Sequence, residues 1–330
     1  MTKIKSLLSL PQKTRPVVPD RFLPTEGGWR QGCEDVRDKL RLNHQDILAL
    51  NFIRTPCPYV FRRHYRTGLR SHIMEVLDPA DVESQREGLM VNEVKHYPKA
   101  KPKKMLRIFR TKFSGLKSAE EELQRVKTIA RFLAPNHMAT SSEFLVDYTR
   151  GRKKGCLLCG LQEYVEGETI NPWTGLGSAQ LFSFFHRMTV SNKNKAFDRS
   201  AKKWLRTVQQ NAEAFVGKLR DMILKANTVP DLAGAGNLIL TFTGRIKLVD
   251  INNISRVSFD ATIPVDDRGY PVCDRSIEAL SLLEEKLLQR PPKSEDVIYR
   301  VFLDPERIKA VRAVEKAFYR TDEPDPYRPD

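Results

Sequence analysis

No stretch of the 330-residue sequence is apolar over the length a helical membrane span requires, so none is expected. The first residues, MTKIKSLLSLPQK, hold only a few apolar positions before Pro11 and no small-residue cleavage pattern, so no secretory leader is expected either. Cysteine is scarce and odd in number: Cys33, Cys57, Cys156, Cys159 and Cys273. This argues against a disulfide framework and for a reducing compartment, with the cytoplasm as the expected location. Cys156 and Cys159 form a C-x-x-C, but no second pair or His cluster accompanies them and they sit in the apolar run CLLCGL. Strand packing is therefore favoured over a metal or redox role. Acidic residues are outnumbered, with 41 Asp and Glu against 56 Lys and Arg, a net charge of +15. Such a field attracts anions without choosing among nucleotide, nucleic acid and acidic lipid.

The most informative stretch that is present runs from Pro230 to Ser255, PDLAGAGNLILTFTGRIKLVDINNIS. Asp231 opens a Gly-rich loop that reaches the amide of Asn237. The apolar run Leu238, Ile239, Leu240 follows, then a turn at Thr243 and Gly244, then a second run, Ile246, Leu248, Val249, that delivers Asp250. Two short β-rich segments around a Gly turn predict a hairpin. That geometry sets Asn237 at the entrance of one strand and Asp250 at the exit of the other, so the two side chains could meet at one mouth. An amide oxygen and a carboxylate, with Asp231 nearby, suit a hard cation such as magnesium that is shared with phosphate. The competing expectation is a surface hairpin with polar ends.

Asp231, Asn237 and Asp250 resemble the catalytic loop and metal-binding Asp of the protein-kinase-like superfamily, in an atypical or degenerate, bacterial-type form. NLILTFTGRIKLVD is similar to the family run N-[LI]-L-[LV]-x-x-x-G-x-[LIV]-K-[LIV]-x-D, with the same spacing from Asn237 to Asp250. Val229-Pro230 stands where the family has His-Arg, the step from Asp231 to Asn237 is one residue longer, and Ile251-Asn252 replaces Phe-Gly. The resemblance implies an α+β, two-lobed protein-kinase-like fold with a small β-rich N-lobe and a mainly helical C-lobe. It further implies ATP and magnesium as ligands, Asp231 as the catalytic residue, and Asn237 and Asp250 as metal ligands.

Taken in order, the Pro-rich residues up to Gly32 predict an extended arm over 1–50, with a short helix within Glu34 to Leu50. Residues 51–163 then form the N-lobe and 164–330 the C-lobe. Tyr59 to Val94 is expected to give strands, and Lys95 to Lys104, KHYPKAKPKK, a solvated connection. Met105 to Lys112, MLRIFRTK, predicts the strand on which the family carries its phosphate-orienting Lys. Arg107 aligns best and Lys112 is the nearest Lys, so either is a candidate. Ser118 to Leu133 predicts a helix with Ser118 as N-cap. By resemblance this helix supplies the Glu that pairs the strand cation, with Glu122 first and Glu121 second. Strands are predicted over Glu143 to Tyr148 and Cys156 to Glu163. The polar stretch after the second resembles a lobe hinge, where Glu163 and Val165 would offer backbone groups to a base. Helices are predicted over Leu181 to Met188, Ser200 to Ala226, Asp274 onward, Ser294 to Leu303 and Pro305 to Tyr319.

Three functions remain open on the sequence. The first is a kinase-like phosphotransferase moving the γ-phosphoryl group of ATP to a hydroxyl acceptor, small molecule or protein. No Gly-x-Gly-x-x-Gly loop precedes Met105, where Gly68 and Gly88 are isolated, and no Ala-Pro-Glu lies between Asp250 and Asp274. A pseudokinase, a nucleotide-sensing or partner-binding regulator, is therefore the second. The third is a basic nucleic-acid-binding protein using Lys99 to Lys104, Arg150 to Lys154 and Lys193 to Lys195, although aromatic residues are not interleaved with those runs.

Overall fold

Asn43 caps a short helix α1 (His44–Leu48) by accepting from the Asp46 N–H at 3.0 Å, while Asp46 accepts from the Asn43 N–H at 2.8 Å. Val36, Leu42, Ile47 and Leu50 around it are buried in a core with the strand residues Phe61, Met74 and Ile108. Residues 35–50, expected as part of an arm, are thus packed structure, because their apolar side chains cover one face of a sheet. The structure is a computed structural model that describes residues 35–65, 70–150, 153–191, 200–293 and 295–322. The arm up to residue 34 with Cys33, Gly68, Lys193–Lys195, residues 151–152 of the basic turn, and the tail from 323 lie outside the described residues.

After α1 come β1 (Val60–Arg63) and β2 (Ser71–Leu77), then α2 (Pro79–Glu87) and a small hairpin of β3 (Leu89–Val91) and β4 (Val94–His96). The helix α2 was not expected within Tyr59 to Val94; Asp78 caps it and Pro79 starts it. β5 (Lys104–Phe109) leads to α3 (Leu116–Leu133), followed by the long pair β6 (Ser141–Arg150) and β7 (Lys153–Glu163). α3 begins earlier than expected. Ser118 lies in its first turn, with its hydroxyl donating to the Gly115 carbonyl at 2.8 Å, so it is not the N-cap. These strands make one antiparallel sheet in the order β1-β2-β5-β7-β6.

The second half follows with β8 (Gly167–Ile170), α4 (Ser178–Ser191), α5 (Ala201–Ala226), β9 (Thr228–Pro230), the hairpin β10 (Leu238–Thr241) and β11 (Ile246–Leu248), and β12 (Ile254–Arg256). It closes with α6 (Val272–Leu288), α7 (Val297–Phe302) and α8 (Pro305–Asp322). The stripe Trp204, Val208, Ala212, Phe215, Leu219 and Ile223 makes α5 the spine of a second core, packed with Val126, Ile129 and Leu133 of α3 and with α6. Ser200 caps α5 through the Lys203 N–H. β8 pairs with β10, and β9 with β12, so both ends of the 231–253 segment are anchored on this core. The architecture is a mixed α/β one, with a five-stranded sheet beside a helical body. No described helix is long and apolar enough to cross a membrane.

Candidate functional site

The expected hairpin forms, with Leu238 opposite Leu248 and Leu240 opposite Ile246. One step beyond that register, the Val249 N–H donates to the Asn237 carbonyl at 2.9 Å, which holds Asn237 beside the residue that precedes Asp250. The Asn237 Nδ2 donates to the Asp231 carbonyl at 2.9 Å and closes the Gly-rich loop. A Cβ on Gly234 would lie 2.4 Å from that Nδ2, so the loop closes only because residue 234 has no side chain. Asp231, Asn237 and Asp250 therefore lie at one end of the hairpin.

Asp231 is half-buried, and its Oδ1 accepts from the N–H groups of Ala233 at 2.9 Å and Gly234 at 3.0 Å. Burial, then the charge of Asp250, push its carboxyl up to about 6 against the bonds that favour the charged form. The loop is also held from outside. The Leu232 N–H donates to the Ser276 hydroxyl at 3.1 Å, and the Trp173 indole donates to the Ala233 carbonyl at 2.9 Å. The Arg275 guanidinium stacks 4.0 Å over the Trp173 ring.

Arg107 comes to this end of the hairpin from β5, but in a different partnership from the one the resemblance implies. Its register partners are Ile73 on β2 and Gly160 on β7, and Glu143 on β6 is the next residue in that row. With no side chain on Gly160, the guanidinium lies across β7 and its Nη2 donates to Glu143 Oε1 at 2.7 Å and to Ser141 Oγ at 3.1 Å. Its Nη1 donates to Asn252 Oδ1 at 3.0 Å. Arg107 is 2 % exposed, and burial pulls its pKa down against the opposing charges of Glu143 and Asp250.

The expected pairing of Arg107 with Glu122 does not form. Glu122 bonds Arg125 on its own helix at 3.1 Å, and burial raises its carboxyl despite the nearby charges of Arg125 and Arg70. Glu121 lines a groove of about 1320 Å³ between α3 and the 253–256 and 264–267 stretches, with Arg70, Asn253 and Asp267. Lys112 lies beyond the end of β5, exposed, in an ion pair with Asp38 at 2.6 Å. Of the two candidate cations only Arg107 borders Asp250. Glu163 ends β7, where its carboxylate accepts from the Thr140 N–H at 3.0 Å and from Lys247. Val165 is buried in the connection to β8.

Glu143, Gly160, Asn252, Gln162 and Trp173 were not singled out by the sequence. An isolated Gly within an apolar strand is the signal for the first two, since it marks a close approach across the sheet. Among the described residues, no group of three or more His, Cys, Asp or Glu side chains could hold a metal ion. The site instead offers two carboxylates and one amide oxygen. This set fits magnesium, which is commonly held by one or two carboxylates and completes its shell with phosphate and water. Asp231 and Asp250 are half-buried, and the charge of Asp250 raises the Asp231 carboxyl, so a cation between them would stabilise the pair.

No family model matches this sequence, and no curated protein matches it. Among solved structures the chain is similar to one described as the ROP18 kinase domain in complex with AMP-PNP and sucrose. The identity is 10 %, the TM-score 0.33, and the match covers 81 % of this chain and 83 % of that one. A likeness at that level does not decide the fold.

Proposed function

We propose that the chain is a two-lobed, kinase-like phosphotransferase that moves the γ-phosphoryl group of ATP to a hydroxyl acceptor with magnesium. The five-stranded sheet would serve as N-lobe up to Glu163, and the helical body from residue 164 as C-lobe. The observation that carries this is the convergence of Asp231, Asn237 and Asp250 at one end of a hairpin. Asn237 and Asp250 would hold magnesium, which when bound neutralises charge on the phosphates. Asp231 would accept the acceptor's proton, or hold its hydroxyl in line; a carboxyl near 6 suits a base working near neutral pH. Backbone groups at Glu163 and Val165 would meet the base of the nucleotide.

A specific observation supports a second reading, a pseudokinase that binds nucleotide without turnover. Arg107 is sealed by Glu143, Ser141 and Asn252, and Lys112 is engaged elsewhere, so neither cation is presented to a phosphate. The nucleic-acid reading is weakened, since Lys101 pairs with Glu166 at 2.8 Å and Lys103 with Asp78 at 2.5 Å. The test is thermal unfolding with ATP and magnesium. Stabilisation that disappears in Asp250→Asn supports either kinase-fold reading, and no shift at millimolar nucleotide overturns both. Turnover of ATP that Asp231→Ala abolishes then separates the enzyme from the pseudokinase. Binding of oligonucleotides with steep salt dependence, and indifference to ATP, would favour the third reading.

A further inference from the structure

Asp250 sits between two residues that the sheet holds by their polar groups. Before it, the Val249 carbonyl accepts from Gln162 Nε2 of β7 at 3.0 Å. After it, Asn252 is 4 % exposed and has both ends of its amide engaged. Its Oδ1 accepts from Arg107 Nη1 at 3.0 Å, and its Nδ2 donates to the Ser71 hydroxyl of β2 at 2.8 Å. The Asn252 N–H meanwhile donates to Asp250 Oδ1 at 3.0 Å. One residue on, Asn253 Oδ1 accepts from Arg70 at 2.6 Å and its carbonyl from the Asp231 N–H at 2.9 Å.

From this we infer that Asn252 is the positioning residue for Asp250, and that the buried Arg107–Glu143 pair is its support and not a phosphate grip. The assignment rests on the reading of Asp250 as the residue that holds the metal. Asn252 acts through two linked sets of bonds. Its backbone N–H fixes one oxygen of Asp250. Its amide ties that backbone to β2 and β5, where Glu143 and Ser141 keep the guanidinium from turning away. A side chain that only filled space at position 252 would keep the N–H that meets Asp250 but untether it from β2 and β5, and would leave the Ser71 hydroxyl and one arm of Arg107 without their Asn252 partner. An Asp at 252 could still accept from Arg107, and Ser71 can rotate its hydroxyl to donate, so both side-chain bonds survive that substitution.

The experiment is a magnesium titration of the ATP-induced rise in Tm for the full chain and for Asn252→Ala, Asn252→Asp and Ser71→Ala. Residues that orient a metal ligand without touching the metal typically contribute 10–100-fold to metal affinity. Asn252→Ala is therefore expected to need at least about tenfold more magnesium for the half-maximal rise, with the response to ATP alone unchanged. Asn252→Asp is expected to recover most of the wild-type response. Ser71→Ala, which removes one bond and supplies a folded variant should Asn252→Ala fail to fold, is expected to shift the titration about threefold. Titrations of Asn252→Ala and Ser71→Ala that superimpose on wild type overturn the positioning role alone. A wild-type chain with no magnesium-dependent rise overturns the proposed function and this role with it.

Discussion

Arg107 and Glu143 meet across a strand that places no side chain between them. Both flank Gly160 in the sheet register, and a Cβ on that glycine would lie 3.2 Å from Glu143 Oε1 and 3.3 Å from Arg107 Nη2. The pair is almost wholly shielded from water, with the side chains 2 % and 8 % exposed. Removing one partner of such a pair leaves a buried charge uncompensated, at a cost of about 3–5 kcal/mol. Glu143→Ala is expected to lose about that much in urea unfolding, and the double variant Arg107→Met, Glu143→Leu less. A cost below about 1 kcal/mol for Glu143→Ala, the range of exposed pairs, would show that the guanidinium is solvated after all.

Gly160→Val tests the same relationship from the other side. The added methyl groups must displace either the carboxylate or the guanidinium, and overpacking of this kind costs about 1–3 kcal/mol. The expected result is a lower unfolding midpoint without loss of secondary structure by circular dichroism. An unchanged midpoint would mean that β7 shifts freely to make room.

Gly234 makes a different demand, because the atom its Cβ would strike is the Asn237 Nδ2 that closes the loop on the Asp231 carbonyl. Gly234→Ala is expected to dislodge the Asn237 amide at a stability cost of about 1 kcal/mol for the lost bond. Magnesium-dependent stabilisation by ATP should fall as far in Gly234→Ala as in Asn237→Ala. A variant that keeps the full effect would separate loop closure from ligand binding.

The elements that were legible in the sequence are those whose signal is local. The α5 stripe shows as side chains at helical spacing, and the 238–248 hairpin as two apolar runs around Thr243-Gly244, since period and turn chemistry are written in consecutive residues. The placing of Asn237 and Asp250 at one end of the hairpin followed from those two runs, whereas Asp231 is brought there by the Gly-rich loop that the Asn237 amide closes. The partner of Arg107 followed from neither, because Glu143 reaches it only through strand order β5-β7-β6, which no single strand encodes. A long guanidinium over a glycine selected the neighbouring strand's carboxylate over the helix's Glu122. Within residues 35–50 the short expected helix forms as α1, but the packing of Val36, Leu42 and Ile47 against the sheet is not legible, because they have no period of their own and follow a proline-rich stretch.

Cys156 and Cys159 supply a chemical test of the strand assignment. Cys156 is opposite Asp147 and Cys159 opposite Phe144, so the two thiols leave β7 on opposite faces and cannot be bridged. Burial pushes Cys159 up to about 12 and raises Cys156 as well. Alkylation at pH 8 is expected to be slow, with Cys156 modified before Cys159, and mild oxidants should form no bond between them. An intramolecular disulfide found by mass spectrometry would contradict the register of β6 and β7.

Asp231 contributes one pH-dependent part of the stability. Its folded pKa, about 6, lies above the ordinary value of 3.8, so the folded state binds the proton more tightly than the unfolded state does. Stability from this group is therefore greatest below pH 4 and is lost as pH rises toward and through 6. Some solvent reaches Asp231, which reduces the effect to about 2 kcal/mol. Asp231→Asn removes the charge that burial penalises, and is expected to be more stable than wild type above pH 6 by about that amount, with the difference vanishing below pH 4. Under the proposed function, phosphoryl transfer should run the other way, falling as the Asp231 carboxylate takes up its proton. Urea midpoints of both proteins from pH 4 to pH 8 check the first half. An Asp231→Asn variant less stable than wild type above pH 6, with the deficit closing toward low pH, would mean that Asp231 is held charged, and would remove it as a base that titrates near neutrality.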